Sequence, residues 1–107
     1  MTANRFERGA IVHREDRTWI VWSYPRPLRH AQPVGLPLVH QTQPLHRSHV
    51  RFKLAGATVI VQTLDAETVP RDCEQIGQCS DLIVAMIEQT MRRAIEAEQV
   101  ERREQVA

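Results

Sequence analysis

The sequence predicts a small, mainly β domain with a single C-terminal helix, which is an α+β fold. Three observations lead to this fold class. The chain has 107 residues, enough for one modest hydrophobic core. Its first two-thirds alternates short runs of β-branched and aromatic residues with Pro- and Gly-containing turns, as antiparallel strands do. Beyond residue 80 the apolar residues instead recur at helical spacing.

Composition excludes several classes of protein. Apolar residues make up 42% of the chain, close to the globular norm of about 45–50%. No apolar run approaches the roughly 20 residues that span a bilayer, and the N-terminus lacks the apolar core of an export signal. Cys73 and Cys79 fit free thiols in a reducing compartment. We therefore expect a cytoplasmic protein without a membrane partner. Its single domain covers residues 1–95, and residues 96–107 form a charged helical extension or a frayed tail.

Charge is distributed unevenly along the chain. Residues 1–53 contain nine Arg and Lys and three Asp and Glu, a formal charge of +6, whereas residues 54–107 carry −5. Such asymmetry is typical of proteins with a nucleic-acid or acidic partner. It equally allows the two halves of one fold to attract each other. We favour the second interpretation, because no run of five or more like charges occurs.

The early strands follow from the alternation of side chains. Residues 10–13 are predicted to form a short strand after a turn at Gly9, and a charged hairpin connection leads into residues 18–24, the clearest strand. The alternation places Trp19, Val21 and Ser23 on one face and Ile20, Trp22 and Tyr24 on the other. Because both faces are apolar, we expect a central strand, with Trp19 and Trp22 in the core or a dimer interface.

Loops and shorter strands follow. Residues 25–35 contain three prolines and a glycine, which predicts a long loop of the kind that is commonly functional. The later elements are a short strand over residues 36–40, a polar loop over residues 41–48, and a hairpin of residues 49–54 and 58–64 that turns at Gly56. Residues 73–78 fit either one more short strand or a turn.

The last predicted element is a helix. Ser80 can cap its exposed N–H groups, and Asp81 complements the positive end of its dipole. The residues that follow at helical spacing are Ile83, Met86, Ile87, Thr90, Met91 and Ala94. We expect this face to cover an open end of the sheet, with Met86 and Met91 in the core or at a dimer contact.

Short motifs occur in a fixed order between Gly35 and Ile95. They are Leu36-Pro37-Leu38, then Thr63-Leu64-Asp65 followed by Thr68-Val69-Pro70, then Ile76-Gly77 before the helix start at Asp81-Leu82. In order and spacing they resemble the CcdB/MazF (PemK) superfamily of toxins from bacterial type II toxin–antitoxin modules, and CcdB most closely. Gln62 before the Thr-x-Asp step, and Arg8-Gly9-Ala10-Ile11 near the N-terminus, are similar to the MazF side.

The resemblance implies a small SH3-like barrel of about five to seven short strands capped by one amphipathic helix. It implies a homodimer that inhibits growth and is neutralised by an acidic antitoxin, without a cofactor. A CcdB-like chain would act non-enzymatically on DNA gyrase, a topoisomerase, and we favour this target because the spacing fits without gaps. By position on the helix, the resemblance assigns target or antitoxin binding to Arg92, Arg93, Ile95 and Glu96.

Departures from both families leave two alternatives. CcdB-type toxins end in an apolar Trp-Gly-Ile step, whereas this chain has Glu96-Ala97-Glu98 at the corresponding place. The first alternative is a MazF-type, metal-independent endoribonuclease that cuts single-stranded RNA. His30 with Arg26 and Arg29 has the required chemistry of a base and phosphate-binding cations, although a solvated basic loop is the simpler interpretation. The second alternative is an inactive binding module with the same fold.

Three further groups of residues have the side-chain chemistry of metal, redox or acid–base sites, but not the spacing of such sites. They are the zinc-type ligands His40, His46 and His49, the thiols Cys73 and Cys79, and the carboxylates Asp65 and Glu67. The histidines match no zinc motif, and the thiols match no redox or metal signature. For the carboxylates, a strand-end turn facing solvent is the favoured interpretation. We therefore expect no metal site.

Overall fold

The computed structural model describes residues 6–24, 32–40 and 45–106. In these ranges the chain forms seven β-strands and one α-helix. In chain order they are β1 (Ala10–Arg14), β2 (Arg17–Ser23), β3 (Val34–His40), β4 (His49–Leu54), β5 (Ala57–Gln62), β6 (Glu67–Thr68), β7 (Glu74–Gln78) and α1 (Asp81–Val106). None of the helical residues described forms a segment both long and apolar enough to cross a bilayer.

The strands form one antiparallel sheet. They lie in the order β4-β5-β3-β2-β1-β7, and β6 pairs with β3 beside this path. The sheet curls into a half-barrel with β4 and β7 at its two edges. The predicted fold class, a mainly β, barrel-like domain with one C-terminal helix, is confirmed. β2 pairs with β1 on one side and β3 on the other, as expected of a central strand.

Two hydrophobic clusters lie on opposite faces of the sheet. The first lies between the sheet and α1 and contains Ile11, Ile20, Leu36, Leu38, Val50, Val59, Val61, Cys79 and Ile87. The second contains Phe6, Ala10, Val12, Trp19, Val21 and Val69. Successive side chains of a strand point to opposite faces, so β2 supplies residues to both clusters. Full burial of an aliphatic side chain contributes about 1.5–3 kcal/mol, so both clusters stabilise the fold.

A β-bulge interrupts β2 at Trp22. The residues on either side of it pair with Gly35 and Val34 of β3, so Trp22 itself has no partner in that register. A bulge shifts the alternation of side chains by one residue. The prediction that Tyr24 shares a face with Trp22 is therefore wrong. Tyr24 packs against the second cluster, where its hydroxyl accepts a 2.8 Å hydrogen bond from the backbone N–H of Phe6.

Helix α1 begins where the sequence predicts. The backbone N–H of Ile83 donates to the hydroxyl of Ser80 at 3.3 Å, which satisfies one of the N–H groups of the first turn. Ile87 is completely buried in the first cluster. Met86 lies on another side of the helix and is 42% exposed, so it is outside the core. The helix has 26 residues and runs without a break through the charged segment after Ile95.

Among the described residues, four ion pairs join the basic half of the chain to the acidic half. They are Arg8–Glu88, Arg14–Asp72, Arg17–Glu67 and Arg47–Glu101, with N–O distances between 2.6 and 3.3 Å. In each pair the arginine belongs to residues 1–53 and the carboxylate to residues 54–107. This is the arrangement expected if the two halves attract each other. Because exposed ion pairs contribute less than about 1 kcal/mol each, they align the halves more than they stabilise them.

Candidate binding groove beside helix α1

A surface groove lies between the bulge of β2 and one side of helix α1. Its volume is about 490 Å³. The lining residues are Arg8, Trp22, Glu88, Met91, Arg92, Ile95 and Glu96. The other helical members lie three, four, seven and eight residues after Glu88, the spacing that places side chains on one side of a helix. Sequence-distant segments therefore form the two walls of one depression.

Gly9 positions the first wall. Its φ of +92° is in the left-handed region, which glycine adopts without strain. Its N–H donates to the carbonyl of Val21 at 2.8 Å, and its carbonyl accepts from the N–H of Cys79 at 2.8 Å. The turn thus connects β2 to the segment that leads into α1. It also brings Arg8 next to Trp22, at the point where the bulge leaves the backbone of Trp22 without a β3 partner.

The Arg8 side chain makes three contacts at the groove. Its guanidinium carbon lies 4.5 Å from the centroid of the Trp22 ring, within the range of a cation–π interaction. Its Nε donates to the Trp22 carbonyl at 3.0 Å. Its Nη1 donates to Glu88 Oε1 at 2.6 Å, which crosses from the N-terminal segment to the helix. These contacts hold the ring, the cation and the carboxylate in one arrangement.

The helical wall is partly apolar and partly charged. Met91 packs against the first cluster, whereas Ile95 is 43% exposed and presents its aliphatic surface to the groove. Arg92 and Glu96 are exposed, and neither has an ion-pair partner among the residues described. An aromatic ring and an isoleucine beside a free cation and a free carboxylate form a surface suited to side chains of another protein.

The groove brings together several residues that the sequence analysis singled out separately. Arg92, Ile95 and Glu96, expected to bind a target or antitoxin, lie there with Trp22 and Met91. Two of the remaining predicted residues are elsewhere. Arg93 is exposed and does not line the groove, and Met86 is exposed outside it.

Trp19 lies on the opposite face of the sheet. It is 4% exposed and belongs to the second cluster, which agrees with the core interpretation. Its indole N–H donates to Glu67, which also pairs with Arg17 at 2.7 Å. The expectation that Glu67 is simply a solvated carboxylate is therefore wrong, because two side chains of β2 hold it in place.

Arg26, Arg29 and His30, the residues considered for RNA cleavage, lie outside the described residues. The endoribonuclease alternative therefore stays a prediction from sequence. The groove residues that the sequence analysis missed are Arg8 and Glu88. Arg8 was part of a motif, but no local pattern indicates its contact with Glu88 across 80 positions of sequence.

Two histidines, His46 and His49, lie close together at the start of β4. His46 Nδ1 is 2.7 Å from the hydroxyl of Ser48 and 3.2 Å from its backbone nitrogen, and the His46 and His49 rings are 5.6 Å apart. Ser48 is buried, and its carbonyl accepts from the hydroxyl of Thr63 at 2.6 Å. The His46 ring thus makes hydrogen bonds within its own turn, which is a local structural role. In the described parts of the chain, no three His, Cys, Asp or Glu side chains meet as a metal site.

Comparisons with protein families, with curated proteins and with solved structures find no match to this chain.

Proposed function

We propose that this chain is the toxin component of a bacterial type II toxin–antitoxin module and that it acts by binding another protein. The observation that carries the proposal is the groove. It combines Arg92, Ile95 and Glu96, which the resemblance to CcdB-type toxins assigns to target or antitoxin binding, with the half-buried ring of Trp22. Interfaces are enriched in such aromatic and arginine side chains.

The architecture supports the same proposal. A curled antiparallel sheet followed by one C-terminal helix is what the resemblance implies for CcdB and MazF relatives. The proposed antitoxin is acidic, and Arg92 provides a groove cation that no described carboxylate neutralises. For the proposed homodimer, Leu82 and Met86 are exposed apolar side chains one turn apart on the outer side of α1.

DNA gyrase is the first target to examine. In CcdB-type toxins an apolar step after the helix makes the contact, and this chain has Glu96-Ala97-Glu98 there. Ile95 and Trp22 offer apolar surface directly beside that position. The proposed contact with gyrase is therefore made by the side of the helix that lines the groove. Substitutions of groove residues should abolish this contact.

Induced expression in a bacterium tests the proposal. Growth should stop when the wild-type chain is made, and Arg92→Glu should restore it, because reversing a charge within an interface weakens binding by roughly tenfold or more. Arg71→Glu is the matched control: it makes the same change at an exposed position of the turn before β7, away from the groove and the helix, and should leave the arrest intact.

Three readouts separate the outcomes. Accumulation of cleaved DNA with purified gyrase would support the topoisomerase target, and arrest without it would point to another protein. Cleaved cellular RNA would instead indicate the endoribonuclease alternative. Normal growth with abundant folded protein would contradict toxicity altogether and leave the inactive binding module.

A further inference from the structure

Strand β4 is an edge of the sheet. It pairs with β5 on one side, and the described strands place no neighbour on its other side. The pairing of β4 with β5 is regular, with six consecutive residue pairs from His49↔Gln62 to Leu54↔Ala57 and no break. The opposite edge differs, because the pairing of β7 with β1 has a register shift between Ile11 and Val12. A regular edge is the better template for another strand.

The side chains of β4 alternate strictly. Val50 is buried in the first cluster, and Phe52 and Leu54 pack against it, half-buried. Arg51 and Lys53 therefore point to the opposite face, where both are exposed. The edge thus carries an apolar row on the helix side and a basic row on the outer side.

The basic row lacks carboxylate partners. Arginines elsewhere in the basic half pair with acids of the other half, but no such pair includes Arg51 or Lys53 among the described residues. Their cross-strand neighbours on β5 are Ile60 and Thr58, which are uncharged. Two cations two residues apart on an exposed edge are thus left available to an external anion.

We infer that β4 binds an extended acidic segment of another protein by strand addition. Backbone groups of the segment pair with the edge of β4 that no described strand occupies. Its side chains at alternate positions then fall on the two faces of the enlarged sheet, so carboxylates lie beside Arg51 and Lys53. The intervening residues lie beside Phe52 and Leu54, which favours apolar side chains there. The recognised segment therefore alternates acidic and apolar residues.

Single-stranded nucleic acid is the other polyanion that a basic row attracts. Proteins that bind it without sequence preference stack bases on accessible aromatic rings. The described Trp, Tyr and Phe rings are all buried or half-buried, and the outer-face neighbours of the basic row are Ile60, Val39 and Thr58. A strand edge also provides alternating N–H and C=O groups, which a peptide backbone complements and a phosphate backbone does not.

The test uses the full chain and a short synthetic peptide of alternating Glu and Val. Binding is measured by fluorescence anisotropy at low salt. The wild-type chain should bind, and the double variant Arg51→Gln with Lys53→Gln should bind about fivefold more weakly, as expected for the loss of two exposed ion pairs. The matched control, Arg71→Gln with Arg103→Gln, removes the same charge from sites off β4 and should bind like wild type.

Two chemical controls examine the strand geometry. Peptides that are N-methylated at one or the other set of alternate amides should differ in affinity. Methylation of the amides that face β4 should abolish binding, whereas methylation of the amides that face away should leave binding intact. A peptide of the same composition with Glu and Val in separate blocks should bind several-fold more weakly. Equal binding of both N-methylated forms, or of the block peptide, would overturn strand addition.

Other results would overturn the inference in recognisable ways. If no peptide binds, the cations of β4 only guard the edge against aggregation. If a single-stranded oligonucleotide binds more tightly than the peptide and loses affinity in the double variant, the edge recognises nucleic acid. The site is separate from the groove, so Arg92→Glu should not change peptide binding, and loss of toxicity alone does not bear on it.

Discussion

Glu67 of β6 accepts a hydrogen bond from the indole N–H of Trp19 in β2. The same carboxylate oxygen pairs with Arg17, whose guanidinium carbon lies 5.3 Å from the centroid of the Trp19 ring. On the other face of β2, Arg8 likewise lies over the Trp22 ring and forms an ion pair with Glu88. Each tryptophan of the central strand is therefore tied through an arginine to a carboxylate of the acidic half.

The hydrogen bond from the Trp19 indole to Glu67 predicts a difference between two substitutions of Glu67. Glu67→Leu leaves the indole N–H of a buried ring without an acceptor and should lower the free energy of unfolding by about 1–3 kcal/mol. Glu67→Gln keeps an acceptor and loses only the exposed ion pair, so it should cost less than about 1 kcal/mol. Urea unfolding measures both. Glu74→Leu, at an exposed position of β7, is the control, and equal losses for the Leu and Gln variants would contradict the role of the indole.

Gly35 supplies a second test of packing. A methyl group built on Gly35 would overlap Cγ2 of the fully buried Val69 and lie 3.1 Å from Cβ of Trp19. Gly35→Ala should therefore destabilise the chain by about 1–3 kcal/mol through overpacking. In Gly77→Ala the new methyl group would meet Ile11 at an ordinary 3.4 Å, so this variant should cost less.

A double-mutant cycle assigns the cause. If the overlap with Val69 is responsible, Gly35→Ala should cost less in a Val69→Ala background than in the wild type, measured by urea unfolding of all four proteins. Additive losses would show that something other than contact with Val69 limits this position.

Regular elements of the fold follow from the sequence because a repeating pattern specifies each of them. Alternating apolar residues identify β2, and Ser80 followed by helically spaced Ile83 and Ile87 identifies the start and the buried face of α1. The uneven charge also has a structural counterpart, since arginines such as Arg47 pair with acids of the other half. These predictions required only local periodicity or overall charge.

Irregular features could not be predicted in this way. The bulge at Trp22 depends on how β2 meets Gly35 and Val34, and an isolated strand gives no sign of it. β6 has two residues, too few to show alternation. The groove needs Arg8 and Glu88 together, which only the folded chain achieves. The part of the candidate site on one helix was therefore predictable, whereas its second wall was not.

The buried thiol of Cys79 predicts a pH dependence of stability. Burial raises the pKa of Cys79 from an ordinary value of 9.0 to about 11. The unfolded chain therefore loses this proton at a lower pH than the folded chain does. The stabilisation is fully present below pH 9.0 and is lost progressively as the pH rises towards about 11. In urea unfolding between these pH values, Cys79→Ala should lose less stability with rising pH than the wild type.

Thiol chemistry gives an independent check on the same group. Cys73 is half-buried and Cys79 is buried, and both are free. A thiol reagent at neutral pH should modify Cys73 first, and Cys79 only on unfolding, because the thiolate is the reactive form. Modification of Cys79 in the native chain at the rate of Cys73, or a parallel pH profile for the alanine variant, would contradict its burial.

The contact between Arg47 and Glu101 ties the end of α1 to the turn before β4. Arg47 donates from Nη1 to Oε1 at 2.6 Å and from Nη2 to Oε2 at 3.0 Å, which is a two-point carboxylate contact. The hydrogen bond from Arg47 is the main reason that the pKa of Glu101 is lowered from its ordinary value of 4.5. The contribution of this contact is therefore present above pH 4.5 and is lost as the pH falls through the lower, folded-state value.

Loss of this contact should act locally. Glu101→Gln should speed amide hydrogen exchange in residues 96–106 severalfold while leaving the urea midpoint almost unchanged, because an exposed ion pair adds little to global stability. Glu104→Gln changes an exposed carboxylate in the same part of the helix that forms no ion pair with a described arginine, and it should not alter exchange there. Acidification should speed exchange in the wild type, beyond the intrinsic pH effect, but not in Glu101→Gln. If the two Gln variants exchange alike, the packing of α1 on the sheet, and not Arg47, holds the end of the helix.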